Sequence, residues 1–237
     1  YYRRQLDGKP KHYIDTEIMG KYGSNFDGRP VYQEYWAEDM VCGYPLEAKY
    51  GYPVILGIDT TGLNPAVALE MGVLQIKHEL LALDMPFVPF VRDVLKPFLA
   101  QYYPGCQVVA YTDPANPRDS NRGETPVQVL RQYGIQAQNA PTNKFKARID
   151  SVISFLQRRG GLLIDKRCEK IINGFRGGYH YRPLNISGIG KTYSSEPVKN
   201  EYSHLADAVQ YLCNGIRHGS EDSTRRPVRK AVTKRVY

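Results

Sequence analysis

Three aspartates stand where folding could gather them. Asp59 ends the apolar run "PVILGID" and is followed by Thr-Thr-Gly. Asp113 ends a second apolar run, "CQVVAYTD", and is followed by "PANP". Asp207 lies in "SHLADAVQY", three residues after His204, so on a helix those two side chains share a face. Carboxylates brought close together repel unless a cation or a shared proton offsets them. Hard oxygen donors in a pocket open to solvent suit Mg2+ or Mn2+. A cluster of three can hold two such ions roughly 3.5–4 Å apart, one activating water for in-line attack on phosphorus and one stabilising the leaving 3′ oxygen. Each residue also has an ordinary reading. Asp59 before Thr-Thr-Gly is a turn former or cap, and "DPANP" is turn chemistry. Asp207 is a solvated helix residue, and His204 a polar contact near a helix start. Only joint placement separates the two sets of readings.

That placement depends on the elements that carry the acids. "PVILGID" reads as a strand, with "AVALEMG" and "VLQIKHELLAL" as two more, joined at Gly72 in a meander. "FVPFVRDVLKPFLAQYY" repeats Val91, Val94, Leu95, Phe98 and Leu99 at helical spacing, with Pro97 set to kink or shorten the helix. "CQVVAYTDPA" is a buried type of strand. "ETPVQVLRQYG" is a helix with Thr125 as N-cap, Pro126 in the first turn and Gly134 as the stop. "IQAQNA" is a short strand. "TNKFKARIDSVISFLQRRGG" is an amphipathic helix through Phe145, Ile149, Val152, Ile153 and Leu156, closed by Gly160. The strand "GLLID" and a short helix precede a polar loop over 179–200. The last helix, "NEYSHLADAVQYLCNGI", has an apolar stripe of Leu205, Ala208, Val209, Leu212 and Ile216, with Asp207 opposite.

A meander followed by alternating strands and helices describes a mixed sheet with helices on both faces. Right-handed crossovers set "VVAYTD" parallel to a strand of the first group. If that neighbour is "VILGID", the two carboxyl ends lie about 4.8 Å apart. Ligands of open α/β sheets collect outside those ends.

Composition narrows the class. The chain has 237 residues, enough for one cored domain plus extensions. No apolar run approaches the roughly 20 residues of a membrane span, and no signal peptide is visible. Cys42, Cys106, Cys168 and Cys213 are scattered without a C-x-x-C pair, which points to reduced thiols rather than a zinc site or disulfide frame. Lys and Arg number 32 against 24 Asp and Glu, a net +8 that suits a polyanionic partner without identifying one. Residues 1–50 are rich in Tyr, Gly and charge and read as a linker or wrapping arm. From Gly219 the chain turns polar and basic, as a tail expected to lack fixed structure.

Taken in order, "GIDTTG", "VVAYTDPA" and "PVKNEYSHLADAVQYL" resemble the nuclease domain of the large terminase subunit of tailed bacteriophages, whose fold is ribonuclease H-like. The closing motif, Lys-Asn, Ser-His, Asp-Ala and Tyr at these offsets, is the most specific part. "YYRRQLDGKPKHYIDTEIMGKYG" and "GRPVYQEYW" look like the segment that joins the packaging ATPase to that nuclease, so the resemblance covers all but the basic tail. It implies an α/β, ribonuclease H-like mixed sheet of five or more strands with helices on both faces. Residues 1–50 would be a linker from a missing N-terminal ATPase domain, 51–218 the nuclease and 219–237 a flexible tail. The implied activity is a Mg2+- or Mn2+-dependent endonuclease cutting concatemeric viral DNA during genome packaging. Double-stranded DNA is the implied substrate, and the ATPase domain, small terminase subunit and portal are the implied partners. No membrane is implied; the implied setting is the packaging machinery in the host cytoplasm rather than the mature virion. By motif match Asp59, Asp113 and Asp207 become metal ligands, and His204 an accessory ligand or a group supporting them.

Other residues are softer candidates. Arg118, Arg122, Lys144, Lys146, Arg148 and Lys191 could track DNA phosphates, or form a solvated basic surface. Glu79 and Asp119 are reserve acids. Arg225, Arg226, Arg229, Lys230, Lys234 and Arg235 could contact DNA or another packaging component. "SGIGKTY" ends like a phosphate-binding P-loop, but Asn185 stands where that motif needs its first glycine, so it reads as a glycine loop beside the site. Two rivals remain. "GIDTTG" would suit an actin-like or sugar-kinase-like ATP-binding module, which needs a second phosphate segment. A non-catalytic DNA-binding or assembly domain would keep the fold and lose the chemistry.

Overall fold

The computed structural model describes residues 28–48, 51–60, 63–70, 73–115, 123–184 and 192–224. The expectations for 1–27, Arg118, Asp119, Arg122, Lys191 and the tail from Arg225 lie outside them. In chain order the strands are β1 (Arg29–Pro30), β2 (Val41–Cys42), β3 (Val54–Ile58), β4 (Leu63–Glu70), β5 (Val73–Leu81), β6 (Val108–Thr112), β7 (Gln136–Asn139), β8 (Leu162–Asp165), β9 (His180–Leu184) and β10 (Thr192–Pro197). The helices are α1 (Lys96–Tyr102), α2 (Pro126–Gln132), α3 (Phe145–Leu156), α4 (Glu169–Asn173) and α5 (Glu201–Thr224).

Among the described residues a seven-stranded sheet runs β2-β8-β5-β4-β3-β6-β7, with β4 antiparallel to both its neighbours and the other pairs parallel. This is the mixed sheet the pattern predicts. Helices cover both faces. Val54, Leu56 and Ile58 of β3 pack with Val91, Leu95, Leu99 and Leu130 on one side. On the other, Leu74, Ile76 and Ile164 pack with Val152, Phe155, Ile171, Leu205 and Val209.

Local chemistry accounts for most boundaries. Thr125 and Gln128 form a reciprocal capping box at the start of α2, and Gly134 takes φ +78° at its end. The helical run ahead of Tyr103 is interrupted, as a short turn (Phe87–Pro89) leads into a π-helical segment (Phe90–Leu95) before α1. Pro97 has no N–H to return to the carbonyl four residues back, and the wider turn lies immediately before it.

Three stretches differ from their sequence reading. The polar loop over 179–200 contains antiparallel β9 and β10, which join β1 in a separate three-stranded sheet. Its strands carry no run of buried residues, so no apolar alternation marks them. Helix α5 is not a one-stripe helix: positions 205–215 are all buried, including Asp207, Gln210 and Asn214. It is sandwiched between β3, β4 and β6 and helix α3. It also continues to Thr224, beyond the expected start of the tail at 219. In β5, the register passes from Ala66↔His78 to Val67↔Ile76, which makes Lys77 an extra, bulged residue. The bulge switches the alternation, so Leu74 and Ile76 share one core with Leu81 while Leu80 faces the other.

The described part of the arm, 28–48, is packed into the domain. Tyr32 is 1% exposed and stacks on Phe175 with ring centroids 4.7 Å apart. The Leu46 amide donates to Asp165 Oδ2 at 2.7 Å, and buried Lys77 donates to the Glu47 carbonyl and to Gln75 Oε1. Burial pushes the Asp165 carboxyl up, but Arg167 and the Arg167 and Leu46 amides outweigh that and hold it at about 2.

Two outcomes are expected from this architecture. A Cβ placed on Gly57 would lie 2.0 Å from the Ala208 carbonyl oxygen and 2.8 Å from Leu212 Cβ, so β3 and α5 meet only because this residue has no side chain. Gly57→Ala should lower unfolding stability by at least about 2 kcal/mol in urea titrations, as overpacking against rigid backbone does; an unchanged midpoint would contradict the close approach. His78 sits beside Phe98, Tyr102 and Tyr103, and burial, with the charge of Arg167 adding, lowers its pKa to about 4. Since a free histidine titrates near about 6.5, the unfolded chain takes up that proton first. Stability from this group should be complete above about pH 6.5 and fall towards pH 4, and His78→Phe should flatten the fall in melts across that window. An equal fall in the variant would assign it elsewhere.

Candidate metal centre

β3 and β6 are parallel neighbours in the register Ile58↔Thr112, so Asp59 and Asp113 are the next residues on adjacent strands. Asp59 is 5% exposed and Asp113 is half-buried. Asp113 Oδ1 accepts the Ala115 amide at 2.8 Å, so its turn role and its place at the strand end coexist. Asp207 arrives from α5. The close contact at Gly57 and a second at Gly215, where a Cβ would lie 2.2 Å from the Tyr111 ring, seat that helix on β3 and β6.

Two cations hold Asp207, and an imidazole lies against Asp59. Asp207 is 4% exposed; its Oδ1 accepts Arg148 Nη1 at 3.2 Å and its Oδ2 accepts Lys199 Nζ at 2.7 Å. His204 Nδ1 lies 3.1 Å from Asp59 Oδ2. Burial is the main reason the Asp207 carboxyl is pushed up; Arg148 and Lys199 oppose the rise and the charge of Asp59 adds to it. The contact with Asp59 raises the His204 pKa. Tyr211 lies in the field of all three acids: burial pushes its hydroxyl up most, and Asp113, Asp207 and Asp59 push further. Its hydroxyl donates to Asn143 Oδ1 at 3.3 Å, and the Arg148 guanidinium carbon sits 5.0 Å from its ring centre.

The closing motif of the sequence divides into two jobs. Asn200 Oδ1 accepts the amides of Tyr202 and Ser203, and Ser203 Oγ accepts the Asn200 amide, a reciprocal cap at the start of α5. Asn200 Nδ2 also ties that cap to the Gly178 carbonyl at 2.9 Å. Lys199, His204 and Asp207 then project into the acid pocket. Lys199 belongs to the motif, but nothing in the sequence says which carboxylate it meets, so its role emerges only from the fold. Arg148 is a correction: rather than tracking phosphates it is 7% exposed and bonded to Asp207. Its place on α3 reads as surface until α5 packs over it. Lys144 and Lys146 are exposed at the start of α3, where Lys146 pairs with Asp150 at 2.9 Å. Glu79 is spoken for, accepting the Lys170 and Ile171 amides and so capping α4.

Do these residues fit a divalent ion? The donor set does: hard carboxylate oxygens, two of them nearly buried, coupled electrostatically at one end of parallel strands. Their oxygens, however, do not converge. Among the described residues no group of three or more His, Cys, Asp or Glu is closed into a metal-holding cluster. Each of the two nearly buried carboxylates has a partner of its own: Asp207 is bonded to Arg148 and Lys199, and Asp59 Oδ2 lies 3.1 Å from His204 Nδ1.

No protein-family model matches the chain, and no curated protein matches it by sequence. Solved structures do resemble it. The large terminase of a thermophilic bacteriophage superposes with a TM-score of 0.59 at 17% identity, over 91% of this chain and 52% of that one. This chain therefore spans about half the length of that terminase. The P22 large terminase nuclease domain gives a TM-score of 0.56 at 16% identity, over 79% of this chain and 92% of the domain. The large terminase nuclease of a second thermophilic phage, G20c, solved with bound magnesium, gives 0.50 at 12% identity, over 80% and 97%. The fold of this chain is that of the ribonuclease H-like nuclease domain of large terminases.

Proposed function

We propose that this chain is a divalent-metal-dependent endonuclease that cuts concatemeric viral DNA during genome packaging. The reading rests above all on one observation, the Ile58↔Thr112 register that sets Asp59 beside Asp113 at the strand ends over which α5 delivers Asp207. A nuclease of the same fold carries magnesium, which supports the choice of ion. Asp59, Asp113 and Asp207 would hold Mg2+ or Mn2+, which supplies activation of water and charge neutralisation at phosphorus. The protein's own part is positioning. His204 orients Asp59, Arg148 fixes one oxygen of Asp207, and the Asn200–Ser203 cap fixes the start of the helix that carries His204 and Asp207. Phosphoryl chemistry demands alignment and charge stabilisation more than covalent participation, and this pocket is built for those two tasks.

Double-stranded DNA is the proposed substrate, with Lys144 and Lys146 among the cations available to its phosphates. The packaging ATPase, small terminase subunit and portal are proposed partners, and the host cytoplasm the proposed setting. A second reading, a non-catalytic DNA-binding or assembly domain, is favoured by the cations that already satisfy Asp207.

One assay decides between the readings. The wild-type chain should nick and linearise plasmid DNA in Mg2+ or Mn2+ and do neither in EDTA. Asp59→Asn should fall below about one-hundredth of that rate, since loss of groups merely supporting a ligand already costs about 10–100-fold, with circular dichroism unchanged. Undiminished cutting by purified Asp59→Asn protein, or cutting that survives EDTA, would remove the assignment.

A further inference from the structure

Asp207 is held by two cations of opposite character. Arg148 takes Oδ1 from a side chain 9% exposed, carried by α3 and packed over Tyr211. Lys199 takes Oδ2 from a side chain 71% exposed. The backbone next to Lys199 is fixed by the Asn200 cap, but the four-carbon stem lies in water. Withdrawing the Arg148 guanidinium would mean unpacking two helices. Withdrawing the Lys199 ammonium means rotating a solvated chain whose charge is rehydrated as it leaves.

We propose that Lys199 is a tethered placeholder cation: it occupies Asp207 Oδ2, and a divalent ion binds by displacing it while Arg148 keeps Oδ1. This rests on the metal-site reading of Asp59, Asp113 and Asp207. The ammonium lies 2.7 Å from Oδ2 of Asp207, and Asp207 shares a helix face with His204, which touches Asp59. A double charge outcompetes a single one for crowded carboxylates, and the exposed stem lets the lysine go. The exchange has two consequences. Asp207 would offer Oδ2 to the ion while Arg148 keeps Oδ1. The affinity of the domain for metal would also be weakened by the strength of the Lys199–Asp207 pair.

The test uses the 237-residue chain, Mn2+ as the probe and the paramagnetic resonance of free Mn2+ as the readout. Lys199→Met should bind Mn2+ about two- to fivefold more tightly than wild type, the range expected when an exposed competing ion pair is removed. In wild type, acetylation of Lys199 by acetic anhydride, read by mass spectrometry against Lys146, should rise when Mn2+ is added. Unchanged or weaker Mn2+ binding by Lys199→Met, or Lys199 labelling indifferent to Mn2+, would overturn the placeholder role while leaving the metal site standing. If wild type binds no Mn2+, or Asp59→Asn binds it equally well, the metal-site reading itself fails and this inference with it.

Discussion

Repulsion among carboxylates crowded at one end of a sheet is the constraint around which this molecule is organised. Asp59 and Asp113 are set side by side by strand register, and Asp207 is pressed towards them by a helix lying directly on the strands. Such an arrangement is unfavourable unless positive charge is supplied. Arg148 and Lys199 supply it at Asp207, and His204 lies against Asp59. Among the described residues, Asp207 thus shares its oxygens between a buried guanidinium and an exposed ammonium, and Asp59 faces an imidazole.

Backbone features make the crowding possible. Gly57 and Gly215 allow α5 to approach β3 and β6 more closely than any side chain would permit. The Asn200–Ser203 cap pins the first turn of that helix, and its link to Gly178 ties the cap to the chain beyond α4. Towards the other edge of the sheet, the bulged Lys77 and the carboxylate of Asp165 hold the 28–48 segment against β5 and β8. Residues 28–48 are accordingly part of the packed body, and Tyr32 reaches α5 itself through Gln210, whose Nε2 donates to the tyrosine hydroxyl at 3.3 Å.

How much of this is legible in the residues varies by physical cause. Six strands of the main sheet, β3 to β8, and helices α2 and α3 follow from periodicity and capping, signals local to each segment, whereas β2 lies in the segment read as an arm. Handedness sets β6 parallel to a strand of the first group, and the observed register shows that strand to be β3, which carries Asp59 and Asp113 to one place. What escapes the sequence depends on contacts across long separations. Arg148 looks like a surface cation because half of its environment is α5, 59 positions away. Lys199 looks like part of a motif because its partner is chosen by the turn of the helix it precedes. The β9–β10 hairpin is missed because it lies outside the main core, where alternation has no reason to develop. The β5 bulge is missed because one extra residue leaves composition untouched and changes only which face each later side chain takes.

The central claim is that divalent ions enter this pocket on Asp59, Asp113 and Asp207. Anomalous diffraction from crystals grown with Mn2+ tests it most directly. The account requires a manganese peak at the carboxyl ends of β3 and β6, contacted by Asp59 and by Oδ2 of Asp207, with the Lys199 ammonium withdrawn and Arg148 in place. Crystals of the intact pocket in saturating Mn2+ that show no peak there, with Lys199 still on Asp207, would contradict it.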